Sequence, residues 1–573
     1  MTAPAYAFTD PAPPEPERTR LLGGKGAGLV MMTQELGLPV PPGFTVPTSV
    51  CLDYLAHGWP TGLNGTLAEH LGRLEQAMGL RLGDPAAPLL VSVRSGAPIS
   101  MPGMMDTVLN VGITPAVRDA IAAKDARFAA DTWLRFSHMY ASTVLGLDLG
   151  SAPKPETSIA DLLAAADAVH RAAAAAGTPI PLDPQLQLRG AVEAVFRSWT
   201  SARAVAYRRH EGIPEDLGTA VTLQAMVFGN ADERSGSGVV FTRDPATGAN
   251  TPFGDYLPCA QGEDVVAGTH AVHGLHLLAK QLPAVDAELR AALRRLELHT
   301  RDMCDVEFTV DRGRLFILQT RVGKRSPIAA VTIAVDLTDD PEIRLTRAEA
   351  VARVAPDTLQ KAAAAETVVA GATPVGRGLA ASPGVGTGAL CFDPDRAAEL
   401  AAAGTPVALA RQETSPEDVH GMLAASAILT TLGGVASHAA VVARGWGIPA
   451  ITSLANARVA GGTLEIAGHV LREGDIVTVD GTDGALYLGD QRAEGAAADS
   501  AHLTELRAWA AEIEESATTA SPPASAALDL YALARVVQLK GLCAKERAAA
   551  NLGASPEAVE ALTGDHPELF KAT

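Results

Sequence analysis

The chain has 573 residues, 47% of them apolar, and its 46 basic against 65 acidic side chains leave a net charge of −19. That length holds roughly three or four domains, and the charge argues against nucleic acid or an anionic membrane surface as partner. Five scattered cysteines (Cys51, Cys259, Cys304, Cys391, Cys543) have no CxxC spacing, and no run of about 18 apolar residues occurs, so a disulfide framework, a zinc site and a membrane span are not expected and a soluble cytoplasmic protein is.

In chain order, residues 1–18 carry several prolines and no period, and read as an extended lead-in. Leu22–Leu29 sets one lysine, Lys25, among glycines. Such a turn lets backbone approach an anion while the ammonium meets it, but the GxxxxGK[ST] spacing of a P-loop is absent and a lone Gly-rich turn is common. Leu89–Gly96 is a strand pattern holding Arg94, followed by a Gly/Pro loop from Ser100 to Thr107. An Arg there suits phosphate through its planar donor fork, or a surface ion pair. Residues 114–210 read as helices, with Trp133, Phe136 and Tyr140 as a core stripe.

Val221–Phe228 alternates as a strand and contains Met226. Ser235-Gly236-Ser237-Gly238 is a small-residue turn feeding another strand, able to fold over a triphosphate or simply to close a hairpin. Cys304–Val310, Asp311–Gly313 and Arg314–Thr320 read as strand, turn and return strand. Alternation places Asp305 and Glu307 on one face and Val306, Phe308 and Val310 on the other. Two carboxylates so arranged suit Mg²⁺, which takes one or two carboxylates plus substrate phosphates; the same pattern also fits an ordinary hairpin with a polar face.

Residues 326–370 are helical. Thr373–Gly388 is Gly/Pro-rich and reads as a hinge leading into the next domain. Residues 389–490 alternate short apolar strands with helices and close on a hairpin of 475–481 and 485–488. Within them, Ala427–Thr431 reads as a buried strand, Gly433-Gly434 as a tight turn, Ser437 as a helix N-cap and Ala439–Arg444 as helix. His438 then sits in the first helical turn, where free N–H groups and the dipole disfavour the imidazolium and favour a phosphoryl group. A His that merely happens to begin a helix would look the same. Residues 491–526 hold Ala, Ser and Pro with one helix over 503–513, and the tail has a helical pattern of nearly balanced charge.

The run Gly433-Gly434-x-x-Ser437-His438-Ala439-Ala440-Val441-Val442-Ala443-Arg444-Gly445 resembles the phosphohistidine motif of the pyruvate, phosphate dikinase family. The strings around Lys25, Val91–Asn110, Gln261–Gly268 and Asp302–Arg325 resemble the same family, so the likeness covers most of residues 20–490. It implies an α/β (α+β) chain divided as follows: a lead-in (1–18), an ATP-grasp nucleotide-binding domain (19–330), a helical connector (331–372), a swivelling phosphohistidine domain (373–492), a linker with one helix (493–526) and a small helical tail (527–573). By the resemblance, Lys25 and Arg94 meet the transferring phosphates, with Thr107 and the Ser235-Gly236 turn nearby. Met226 meets adenine, Gln319 and Arg321 reach the nucleotide, Asp305 and Glu307 hold Mg²⁺, and His438 carries the phosphoryl group.

Two departures stand out. The family has Thr two places before the His, a regulatory phosphorylation site in some members, where this chain has Ala436. And residues 527–573 are too few for the pyruvate-binding barrel of about 250 residues that follows in the dikinases. The expectation is therefore an ATP- and phosphate-dependent phosphotransferase whose final acceptor, pyruvate or another, is held by a separate chain. A phosphoenolpyruvate synthase-like half using water is the near alternative, and a non-catalytic nucleotide-binding relative the distant one.

Overall fold

The computed structural model describes residues 4–101, 104–150, 157–266, 272–364, 367–369, 371–494 and 500–519; the expected tail lies outside them. The N-terminal part is built on two five-stranded sheets. The first orders its strands Tyr6–Ala7, Gly43–Val46, Ala220–Ala225, Val91–Gly96 and Thr107–Val111. Helices 63–78, 126–139 and 184–198 cover it, and Trp133, Phe136 and Tyr140 are all buried in that core, as their helical spacing requires.

The second sheet orders His273–Gly274, Phe253–Pro258, Gly236–Phe241, Cys304–Asp311 and Arg314–Val322. Alternation along Cys304–Asp311 sends Val306, Phe308 and Val310 against Leu289, Leu293 and Leu296 of helix Pro283–Thr300. Its turn carries Arg312 and Gly313 at φ 49° and 78°, the left-handed pair that suits a tight hairpin. Residues 226–235 pass from the first sheet to the second.

The Gly-rich stretch around Lys25 folds differently from the expected anion-wrapping turn. Glu17–Val30 is helical with a break at Gly23 (φ 67°, ψ 165°). A Cβ at Gly23 would stand 1.8 Å from the Gly96 carbonyl oxygen, and the Gly24 N–H donates to Ala97 O at 2.9 Å. The glycine therefore lets the helix touch the strand Val91–Gly96, and the Gly24 N–H is already engaged there.

The helical segment expected over 326–370 forms helices 327–339, 347–353 and 356–364, and ends in a strand, Thr367–Val369, paired antiparallel with Arg492–Glu494. Ala501–Thr519, expected as a helix within a linker, packs back on that connector. Leu503, Leu506 and Trp509 are buried against Val331, Val335 and Ala350, and His502 lies 3.1 Å from Asp336.

Between the paired strands sits a domain on an eight-stranded sheet, ordered 376–377, 485–488, 476–480, 385–391, 407–411, 427–430, 450–452, 379–382. The run Val385–Cys391, Val407–Arg411, Ala427–Thr430, Ala450–Thr452 is parallel, joined by crossover helices. The expected hinge at 373–388 is instead largely strand: Leu379–Ser382 and Val385–Cys391 turn about Gly384 (φ 116°) and enter this sheet. Among the described residues no helix is long and apolar enough to cross a membrane.

Candidate active site

A cavity opens between the two N-terminal sheets. Arg94 and Thr107 reach it from the first, Val239, Glu307 and Thr309 from the second, and Met226 from the connection between them. Register on the second sheet makes two cross-strand rows. One runs Asp255, Val239, Glu307, Gln319; the next runs Phe253, Phe241, Asp305, Arg321. Directly opposed residues share a face, so the two carboxylates, Gln319, Arg321 and Asp255 belong to one surface.

Charge is closely matched there. Arg94 donates from Nη2 to Glu307 Oε2 at 3.0 Å, and Arg321 donates to Asp305 Oδ2 at 2.7 Å. The other Asp305 oxygen, Oδ1, is buried without a hydrogen-bond partner, and so is Arg94 Nε. Burial pushes the Asp305 carboxyl up against the pull of Arg321. Burial pushes Glu307 up too, but Arg94, Arg321 and Lys25 outweigh it and hold the carboxyl below its usual range. Lys25 donates from Nζ to Ser95 O at 2.8 Å, and burial, then repulsion from Arg94, pulls its ammonium down to about 7.

The second domain lies on the same face. Its strand Ala427–Thr430 is followed by a turn through Gly433 (φ 99°), after which helix His438–Trp446 begins. The Ala436 N–H donates to Asp255 Oδ2 at 2.8 Å, and burial raises the Asp255 carboxyl to about 6 despite that bond and Arg444. Ala436 packs with Val239, Phe241 and Leu257. His438 is the first residue of its helix; Ser437 has the N-cap backbone, but its hydroxyl makes no capping bond and is buried without a partner. His438 Nδ1 lies 3.1 Å from Thr414 Oγ1, while Nε2 is buried and unpartnered. Its pKa is lowered, chiefly by burial and against Asp418 and Glu417, in the same direction that the helix start is expected to act.

Residues 57–288 match the family model described as pyruvate phosphate dikinase, AMP/ATP-binding domain, and residues 404–484 match the PEP-utilising enzyme, mobile domain. The chain is 44% identical to pyruvate, phosphate dikinase of Rhizobium meliloti over 504 residues, 82% of this chain and 56% of the relative. Against the Clostridium symbiosum protein of that name it is 42% identical over 516 residues, 86% and 58%; against the Entamoeba histolytica one, 39% over 571, 95% and 63%. Over these two domains the chain belongs to the pyruvate, phosphate dikinase family. It spans little more than half the length of the first two relatives.

Within this dikinase frame, most of the expected residues converge. Arg94, Thr107, Met226 and Glu307 line the cavity. Lys25, Arg321, Asp305 and Gln319 stand around it by charge or register. Thr107 is not in a loop but opens the strand Thr107–Val111, in register with Arg94. Ser235 and Gly236 depart from expectation. Ser235 Oγ is consumed by Asp232 Oδ1 (2.6 Å) and the Arg312 N–H (2.9 Å), and Gly236 opens a fully buried central strand against Tyr256. Neither lines the cavity; Gly238 and Val239 of the same strand do. A sheet centre, closed on both sides by Phe253–Pro258 and Cys304–Asp311, leaves that backbone no freedom to wrap a ligand.

Sequence reasoning passed over Thr414, Asp255 and Arg444. A signal existed for Thr414: it follows the strand Val407–Arg411, next to and parallel with Ala427–Thr430, and sites in such sheets gather beyond the carboxyl ends of adjacent strands.

Lys25 gives a pH prediction. A nearby polyphosphate raises a depressed ammonium pKa, so nucleotide binding draws a proton onto Lys25 above about pH 7. ATP affinity of this chain is expected to fall as pH rises from there, with net proton uptake, because the free protein has already lost the proton that the complex needs. Calorimetry in two buffers of different ionisation enthalpy measures the uptake, and Lys25→Met is expected to remove it.

Proposed function

We propose that the chain is an ATP-dependent dikinase-type phosphotransferase that passes a phosphoryl group through His438. The observation that carries the reading is the unpartnered Nε2 of His438, on a domain packed against the same sheet face that bears Asp305 and Glu307. A neutral imidazole with its proton on Nδ1, donated to Thr414 Oγ1, leaves a lone pair on Nε2. That lone pair attacks the β-phosphorus of ATP. The new bond is Nε2–P, the bond broken is that from the β-phosphorus to the oxygen bridging it to the α-phosphate, and AMP leaves with that oxygen. Phosphate then removes the outer phosphoryl as pyrophosphate, leaving phospho-His438; water would do so in a synthase-like variant. Pyruvate stands beside phosphate in the names of the relatives, and we carry it to this chain as the final acceptor. Lys25 and Arg94 oppose charge on the transferring oxygens, which is the main task of a protein in phosphoryl transfer.

The residues fit Mg²⁺. Asp305 Oδ1 is a buried oxygen with no other partner, Glu307 is two residues on along the same face, and among the described residues no group of three or more His, Cys, Asp or Glu side chains is positioned to hold a metal. Two carboxylates, with phosphates completing the shell, are what Mg²⁺ takes. When bound, the ion would neutralise the polyphosphate. Asp305→Asn and Glu307→Gln are each expected to raise the Mg²⁺ concentration for half-maximal labelling of His438 on the order of tenfold or more. An unchanged requirement in both variants removes them from the metal site.

The test of the whole reading is what the chain makes from β-³²P-ATP and Mg²⁺. Label on protein together with AMP supports it; ADP as product refutes it. Pyrophosphate formed on adding phosphate separates the dikinase from the water-using variant.

A further inference from the structure

Arg444 sits six residues after His438, about 9 Å along the same helix, and is fully buried. Its hydrogen bonds are made within its own domain: Nη1 donates to Ala381 O at 2.9 Å and Nη2 to Val435 O at 2.5 Å. Its charge is answered from the other domain. The carboxylates that act on it are Asp305, Asp255 and Asp244, and its guanidinium lies 5.3 Å from the ring centroid of Phe241. Nε has no partner. Burial lowers the guanidinium pKa to about 10, against those three acids.

This division is informative. A tie between two main-chain carbonyls needs donors and does not need a charge. A buried charge is costly unless carboxylates stand near it, and here they do so while the domains are packed together. Phe241 and Asp305 are cross-strand partners on the sheet face described above, so Arg444 acts on the carboxylate whose second oxygen is buried without a partner.

We propose that Arg444 is a positioning residue of the transfer step, the cation by which the His438 helix registers against the acidic face of the nucleotide-binding domain. The inference rests on the phosphotransfer reading. Arg444 touches neither nucleotide nor phosphorus in this role. It fixes where Nε2 of His438 stands when the domains meet.

The test uses the full chain. Single-turnover labelling of His438 from saturating Mg·β-³²P-ATP is expected to slow on the order of 10²-fold in Arg444→Gln, the scale of a small misplacement of reacting groups. Arg444→Lys, which keeps the charge, is expected to recover part of the loss. ATP affinity, measured at equilibrium in a His438→Ala background, is expected to stay at the parent value. A loop-holding role alone would give the same slowing, so the deciding measurement is a double-mutant cycle with Asp244→Asn, since Asp244 acts on Arg444 and its side chain is bonded to the Ala246 and Thr247 N–H groups, away from the Val435–Ala436 loop. That change lies on the other domain and leaves the Arg444 bonds to Ala381 and Val435 in place. Coupling, with the second substitution costing less once the first is made, supports the proposal; additive costs overturn it. If Arg444→Gln loses its thermal transition, Arg444→Lys takes its place in the cycle. Absence of label in the parent chain defeats the phosphotransfer reading itself, whereas label in the parent with an additive cycle defeats this inference alone.

Discussion

His438→Ala is expected to abolish the acid-labile, base-stable label that the parent chain acquires from β-³²P-ATP, and with it the release of AMP. Two other histidines lie in the same domain. His420 Nε2 lies 2.8 Å from Asp395 Oδ1, and His469 is exposed on a separate three-stranded sheet. The replacement is structurally mild. Alanine is the best helix former, and His438 makes its one side-chain hydrogen bond to Thr414. The loss is therefore chemical, several orders of magnitude as for other covalent nucleophiles, and ATP binding to the N-terminal cavity is expected to survive it. Equal labelling of parent and variant would place the phosphoryl group elsewhere.

Arg94→Met is expected to reduce His438 labelling on the order of 10³-fold, the lower end of what one phosphate-facing guanidinium contributes. Arg94→Lys is expected to fall well short of the parent, because an ammonium lacks the planar fork. Charge bookkeeping gives an independent readout. Arg94 is the largest of the three cations holding Glu307 below its usual range. A carboxylate depressed in this way stabilises the fold at pH values above its unfolded pKa, and that contribution fades as pH falls through the lower folded value. Without Arg94 the burial that pushes Glu307 up meets weaker opposition. The acid limb of the rate profile is then expected to move to higher pH in Arg94→Met, and stability near neutral pH to drop, since removing one partner of a partly buried ion pair leaves the other charge unanswered. Adding Glu307→Gln is expected to return much of the stability and none of the rate. Recovery of rate in the double variant would make Arg94 a structural counter-ion and no more.

The hairpin Cys304–Val322 was the most legible part of the site, because strict alternation fixes faces and its turn has Gly313 in place. The His438 loop was legible for a related reason: an apolar strand, two glycines and a helix start leave few folds. Small residues misled. In Leu22–Leu29 and Ser235–Gly238 the glycines serve close packing, of a helix on Gly96 and of a central strand on Tyr256, and a local string cannot distinguish packing from ligand approach. The Pro/Gly stretch at 373–388 misled likewise, since whether such a segment is free or enters a sheet depends on the partner strand Ala450–Thr452, some seventy residues on. Asp255 and Arg444 were illegible in principle. One is an acid in a strand and the other an Arg in a helix, and they acquire meaning when two domains meet.

The pairing of Thr367–Val369 with Arg492–Glu494 joins the strand that enters the second domain to the strand that leaves it. Both ends of that domain are thereby anchored at one place, beside the helices that Ala501–Thr519 covers. For phosphotransfer this makes the meeting of His438 with the nucleotide a question of local molarity rather than of diffusion. A tethered pair of this kind experiences an effective concentration in the millimolar range, about that of short linkers in general. Labelling is then first order in protein, and dilution of the chain leaves its rate constant unchanged.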